Sequence, residues 1–277
     1  MTTNRLTAFL LAACGLASTA TQAYGQSNDW TPLDSALFGA ELVEPWIMVP
    51  DGSSGAPRQG WLNTADGFFT REVHLAFDTT QIDRAPNADQ ALARFHYPLT
   101  RRLWAGLEVP FIRSVGGNSE FGDITLTTQV MLAETRNLSL NAGAGLQLPT
   151  GDRAVGGDVF GVTPQVNLWA DIGSGVAVRG RVAYAFRNHN GVDGFIANLA
   201  LGQTITPKEA TPFGQFTYYL SANVFEPDTG ATFVSLTPGV RTRLTGNLFL
   251  LAGVEFPIVN SRDYFDHRII GQFVYGF

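Results

Sequence analysis

Downstream of Gly67, apolar side chains recur at every second position in segments about ten to thirteen residues long, separated by turn-forming residues. A period of two places alternate side chains on opposite faces of a strand, whereas a helix would repeat every third or fourth residue. The segment VAVRGRVAYAFR shows it best. Val176, Val178, Gly180, Val182, Tyr184 and Phe186 share one face, and Ala177, Arg179, Arg181, Ala183, Ala185 and Arg187 share the other. The same division runs through LSLNAGAGLQL, VTPQVNLWADI, DITLTTQVML and QFTYYLSANVF.

The pattern predicts about twelve strands, near 68–79, 88–99, 103–113, 122–134, 138–149, 160–171, 176–187, 194–205, 212–225, 231–243, 248–259 and 267–277. The links between them are unequal. Thr100, Thr135, Gly173 and Thr245 open tight links, TRR, TRN, GSG and TGN, whereas SVGGNSEFG, GDRAVGGDVF and SRDYFD are longer. Tight and long links alternate, so the long ones gather at one end of the strands.

Alternation is compatible with two solvents. A soluble sandwich turns its apolar face to a core, while a membrane barrel turns it to lipid and its polar face inward. An even strand count, long loops on one end only, and aromatic residues near the ends of the apolar face favour the barrel. Those aromatics are Phe95, Tyr97, Phe111, Tyr184, Phe186, Phe195, Phe216, Tyr218, Phe256, Tyr275 and Phe277. A ring with an apolar body and a polar edge is well placed at headgroup depth. The expected fold is therefore all-β: a transmembrane antiparallel up-and-down β-barrel of about twelve strands over 67–277. On its last strand Phe273, Tyr275 and Phe277 face lipid, and a terminal aromatic there resembles the membrane-insertion signal of outer-membrane barrels. The final strand must pair with the first, because lipid tolerates no unpaired edge.

Composition fits. Charged residues make up 15% of the chain, low for a soluble domain, where about 25% is usual, and the net charge of -6 offers no basic block for a phosphate backbone, so no nucleic-acid partner is expected. At the amino terminus Arg5, the apolar run LTAFLLAACGLA and the small residues up to Ala23 form a secretory signal, expected to be cleaved, leaving a mature chain in the Gram-negative outer membrane. Cys14, the only cysteine, is read either as an apolar residue of that signal or as a lipidation site; in neither case does the mature protein contain a disulfide. Residues 24–66, rich in Pro, Gly and Trp with one short helix expected near Leu33–Leu42, are either a periplasmic extension or a plug within the lumen. A further strand pair near Glu41–Val49 is the main uncertainty in the count.

FGDITLTTQVML followed by RNLSLNAGAGLQLPTGD resembles the outer-membrane transporters grouped under the "MetA pathway of phenol degradation" name. The resemblance lies in Gly122 and Asp123 opening one strand and Leu148–Gly151 closing the next, and it covers mainly residues 120–190. It implies an outer-membrane barrel that moves small hydrophobic or aromatic molecules.

With apolar faces to lipid, the lumen receives Glu72, His74, Asp78, Arg94, His96, Glu108, Asp123, Asp171, Arg179, Arg181, Arg187, Arg241, Arg243, Glu255 and Arg268. Buried charges of both signs must pair or stay hydrated. Arg94, Glu108, Asp123, Asp171, Arg179, Arg181, Arg187, Arg241, Arg243, Glu255 and Arg268 are the expected channel lining, and Arg179, Arg181, Arg241 and Arg243 would favour anions. The function expected is passive uptake of small molecules, with lipid bilayer, barrel-insertion machinery and small-molecule cargo as partners. The alternatives are a non-conducting structural or partner-binding barrel and a lipid hydrolase on the barrel wall using His267. No cofactor or metal is expected: there is no His-Glu-x-x-His, P-loop or dinucleotide fingerprint, none of the four histidines, His189 in a loop included, belongs to a serine motif, and the loop acids Asp152, Asp158, Asp263 and Asp266 lack calcium-loop spacing.

Overall fold

The computed structural model describes residues 30–64, 68–82, 87–115, 118–188, 191–210, 212–260 and 265–277. The expected signal sequence with Cys14, and His189 and Asp263, lie outside them. Among the described residues, thirteen strands form one sheet: β1 Glu72–Gln81, β2 Ala88–Pro98, β3 Leu103–Val115, β4 Asn118–Glu120, β5 Thr125–Thr135, β6 Leu138–Gln147, β7 Gly161–Gly173, β8 Val176–Arg187, β9 Gly194–Thr204, β10 Gly214–Pro227, β11 Phe233–Thr245, β12 Leu248–Val259 and β13 His267–Gly276. β4 is a short flap paired to the end of β3. The other twelve form a closed antiparallel barrel in which each strand pairs with its neighbours in sequence, and β1 with β13. That closing pair runs from Glu72 opposite Gly276 to Gln81 opposite His267, so the chain's last residues complete the ring and no barrel strand is left with a lipid-facing edge.

The side chains divide as the alternation predicts. Val162, Val166, Leu168 and Ile172 of β7 are exposed to the outside, while Thr163, Asn167, Trp169 and Asp171 are buried inside. On β13, Phe273 and Tyr275 point outward and Ile270, Gln272 and Val274 inward. Aromatic pairs mark both rims: Phe95 stacks on Phe277 at 5.7 Å on the short-turn rim, and Tyr184 meets Phe186 at 4.6 Å on the other.

Four of the five links at one end are tight. The fifth, between β9 and β10, runs over 205–213 and breaks the alternation of loop lengths. The tight GSG turn uses backbone that favours glycine, with φ of 106°, 54° and 71° at Gly173, Ser174 and Gly175. Residues 41–49 add no strand; the amino-terminal segment has a 3-10 turn over Ser35–Leu37 and one helical turn over Phe38–Glu41.

The interior at the short-turn end is solid. Trp61, Leu62 and Phe68 pack there with Trp169, Tyr219, Phe249, Leu251, Ile270 and Val274 of the barrel wall. Trp61 lies parallel to Tyr219, with ring centroids 5.1 Å apart. The fit depends on glycine in the wall: a Cβ at Gly202 would come within 2.7 Å of the Trp61 ring, and one at Gly239 within 2.5 Å of the Tyr219 ring. Twelve strands enclose more space than their own side chains fill, and here chain from upstream of β1 occupies the remainder.

Candidate functional site

Above this packed layer, in the half of the lumen nearer the long loops, lies a cavity of about 540 Å³. Its floor is the turn Trp61–Thr64, and its wall comes from nearly every strand. Asn63 holds the turn with a left-handed φ of 52°, a conformation asparagine tolerates better than most residues. The Asn63 amide donates to Thr237 Oγ1 at 2.9 Å, and its carbonyl oxygen accepts from Arg268 at 3.2 Å.

The wall is polar, with Thr125, Thr127, Gln129, Gln147, Thr163, Gln165, Asn198 and Asn223 facing the space. Amides pair across strands, Asn198 donating to Asn223 at 2.7 Å. Apolar lining comes from Trp61, Leu62, Ala76, Leu92, Trp104, Leu107, Ile196 and Ile270. A molecule held here meets hydrogen-bonding groups on the sides and rings below.

Six of the residues expected to line the channel border this cavity: Arg94, Glu108, Arg181, Arg187, Glu255 and Arg268. Arg94 is ion-paired with Glu108, its cross-strand neighbour. Arg268 stands 3.8 Å from Asp78 and 3.7 Å from Glu255, while Glu255 also accepts a hydrogen bond from Ser235. Arg187 donates to Thr163 Oγ1 at 3.0 Å. Pairing of this kind keeps charge inside a low-dielectric barrel tolerable without closing the space.

The other five sit elsewhere. Arg179 and Arg241 point inward but lie below the floor: Arg179 donates to Gln59 O at 3.3 Å and its guanidinium faces the Phe68 ring at 4.5 Å, and that of Arg241 covers Phe249 at 4.2 Å. Chain inserted from the short-turn side separates both from the cavity. Arg243 is at the short-turn rim, where it donates to the carbonyls of Gly246 and Lys208. Asp171 and Asp123 hold opposite ends of the molecule together.

Asp171 receives the inserted segment. Its carboxylate accepts from Ser54 N at 2.9 Å, from the Ser54 hydroxyl, and from Gly173 N at 2.9 Å. Arg58, buried on the Trp169 ring, reaches Glu134 at 3.2 Å and donates to Thr135 O. Burial pulls the Arg58 guanidinium below its ordinary value, opposed by the carboxylates of Glu134, Asp51 and Asp171. Burial likewise raises the Asp51 carboxyl, against Lys208, Arg241 and hydrogen bonds from Arg58 and Gln215. Nearer the rim, the fully buried Arg102 of the β2–β3 turn donates to Glu41 and to the carbonyls of Asp34, Met131 and Leu132.

Asp123 organises the long-loop end. One carboxylate oxygen accepts from Gly151 N at 2.7 Å and Asp158 N at 3.0 Å; the other accepts from Val159 N and the Gln147 amide, both at 2.9 Å. Burial alone would raise its carboxyl, but these four donors outweigh it and hold the group below the usual carboxylate range. Gly122-Asp123 and Leu-Pro-Thr-Gly are therefore two halves of one structure. Gly151 must be glycine, because a Cβ there would stand 2.6 Å from the Gly122 carbonyl carbon.

Sequence reasoning did not identify Ser54, Arg58, Trp61 and Asn63 as lumen residues, nor Glu41, Arg102 and Glu134 as their anchors. One signal was available: the inward face carries Trp169, Tyr219 and Phe249 toward the short-turn end, where an open channel would need polar groups.

Residues 51–265 match the family described as "Putative MetA-pathway of phenol degradation". No curated protein sequence matches the chain. Among solved structures, an outer membrane channel from Pseudomonas putida F1 superposes with a TM-score of 0.59 at 16% identity, covering 79% of this chain and 99% of that one. The KdgM porin, solved in complex with disordered oligogalacturonate, gives 0.56 at 12% identity over 74% and 99%. The NanC porin gives 0.51 at 10% identity over 75% and 99%. At such identities the likeness is one of fold: this is the barrel of outer-membrane porins and channels.

Proposed function

Because the chain belongs to the MetA-pathway of phenol degradation family, we propose that it is an outer-membrane channel for passive uptake of small aromatic molecules carrying hydroxyl or carboxylate groups, with residues 30–64 as a plug that must shift before cargo passes. The observation that carries this reading is the cavity of about 540 Å³, with its polar wall and aromatic floor. Ligand pockets commonly fall between about 300 and 1,000 Å³, and a single substituted ring fits within that space. A purely hydrocarbon cargo would displace water from the Thr, Gln and Asn wall without replacing its hydrogen bonds, at a cost of about 1–3 kcal/mol for each buried polar atom that is thereby left unsatisfied. Arg181 and Arg187 on the wall support a preference for anionic or phenolic oxygen. The family name supports the aromatic class.

The solid layer beneath supports a second reading, a non-conducting barrel that binds its ligand without passing it. Single-channel recording in planar bilayers separates the two, using the intact mature protein and a Glu134→Ala variant with a loosened segment. Passage predicts conductance that rises in the variant and is blocked by a phenolic acid at the long-loop side. Silence from both proteins, each verified as folded by its heat-dependent gel mobility, would reject the channel and leave the binding barrel.

A further inference from the structure

At the edge of the cavity, where β1, β2 and β13 meet, Glu72, His74 and His96 bring one carboxylate and two imidazoles together inside the barrel. Glu72 and His96 are cross-strand partners, and His74 follows Glu72 by two, so all three side chains share the inward face. Their candidate ligand atoms all lie within 4.8 Å of one another. Glu72 Oε2 is 3.0 Å from His74 Nε2 and 4.0 Å from His96 Nδ1. A tetrahedral ion bound at about 2.0–2.1 Å needs ligand atoms about 3.3 Å apart, and the two observed separations bracket that value.

We propose that Glu72, His74 and His96 form a binding site for a divalent transition-metal ion of the zinc class, with its remaining coordination positions toward the cavity. Four features support it besides proximity. The three residues are 5%, 1% and 4% exposed, so their side chains are already fixed in place. The imidazole centroids lie 4.4 Å apart with the rings tilted by 54°, and the Trp104 ring lies 4.9 Å from that of His96. His74 uses its other ring nitrogen, Nδ1, in a 2.8 Å hydrogen bond with the Gln272 amide, the type of outer partner that orients a metal-binding imidazole. Both His96 and Gln272 line the cavity, which puts the open side of the site within reach of water or a solute oxygen.

Metal ligation needs Glu72 ionised and both rings neutral. To bind through Nε2, His74 must carry its ring proton on Nδ1. The Gln272 amide must then turn its oxygen to His74.

The test uses untagged mature protein in detergent, stripped with a chelator and titrated with Zn2+ by calorimetry, and with Co2+ by visible absorption. The expected result is one saturable site per chain and cobalt bands indicating fewer than six ligands. Glu72→Gln and His96→Asn should each weaken Zn2+ binding by more than 100-fold, and Gln272→Ala by about 10-fold. His267→Asn, on the other side of the barrel wall from these groups, should bind as the parent does. A parent protein with no saturable site overturns the proposal. So does Zn2+ affinity unchanged in Glu72→Gln and His96→Asn, because the ion would then be bound elsewhere. Binding is read directly, and heat-dependent gel mobility confirms that each variant is folded.

Discussion

Asp123 and Asp171 stand at opposite ends of the same barrel, and each holds irregular chain in place by accepting backbone N–H groups. Asp123 gathers Gly151, Asp158 and Val159, all from one loop that begins within 30 residues of it. Asp171 gathers Ser54, which lies 117 residues away in sequence. The first contact closes a loop upon its own barrel hairpins. The second receives a separate piece of chain into the lumen, with Arg58–Glu134, Arg102–Glu41 and the Trp61–Tyr219 stack added to keep it there. The difference lies in what is lost when each fails: at the long-loop end the mouth changes shape, and at the short-turn end the lumen is unblocked.

Removing the Arg58 partner tests that contrast most severely. Glu134→Ala leaves a buried guanidinium without its carboxylate, which costs about 3–5 kcal/mol in comparable cases. Limited proteolysis should then cut within residues 30–64 at a much higher rate while the loop over 148–160 keeps its protection. If both regions loosen together, the two ends are not independent.

Next in size is Gly151→Ala, where the added methyl meets the Gly122 and Asp123 backbone and overpacking costs about 1–3 kcal/mol. Hydrogen exchange should rise in 148–160 and stay unchanged in 51–64. Asp123→Asn is milder. It keeps the shape but turns an N–H2 toward N–H donors, for a loss of about 1–2 kcal/mol, again read by exchange in that loop.

The smallest effect is in pH, and its sign differs between the ends. The Asp123 carboxyl is held below its ordinary 3.8 in the folded protein, so its contribution is present above that value and is lost as pH falls through the lowered one. The Asp51 carboxyl is raised above 3.8, so its contribution is full below that value and is lost as pH rises through the raised one. Acidification should therefore protect residues near Asp51 before it deprotects 148–160. An Asp51→Asn variant should abolish the first change and leave the second, as followed by exchange across an acid series.

The strands were legible because each obeys one local rule. Val176–Arg187 matched its observed span, and Leu138, Gly161 and Leu248 start strands within a residue or so of where alternation put them. β1 was expected near 68 and begins at Glu72, because Phe68 and Phe69 are buried inside rather than alternating across a wall. The cavity residues were legible to the same degree, since inward parity found Arg94, Glu108, Arg181, Arg187, Glu255 and Arg268. Parity reports which face a residue is on but not its depth, so it grouped Arg179 and Arg241 with them.

The sequence alone determined the barrel to within one strand pair, with its inward and outward faces, its aromatic rims and the pairing of Phe277's strand with the first, because each follows from a period of two and from lipid's intolerance of unpaired backbone. Only the tertiary structure decided that residues 51–64 run into the lumen, that Asp123 and Leu-Pro-Thr-Gly are one joint, and that Glu72, His74 and His96 converge. These depend on contacts between segments far apart in sequence, and a local pattern carries no information about which distant segment will fill the space it encloses.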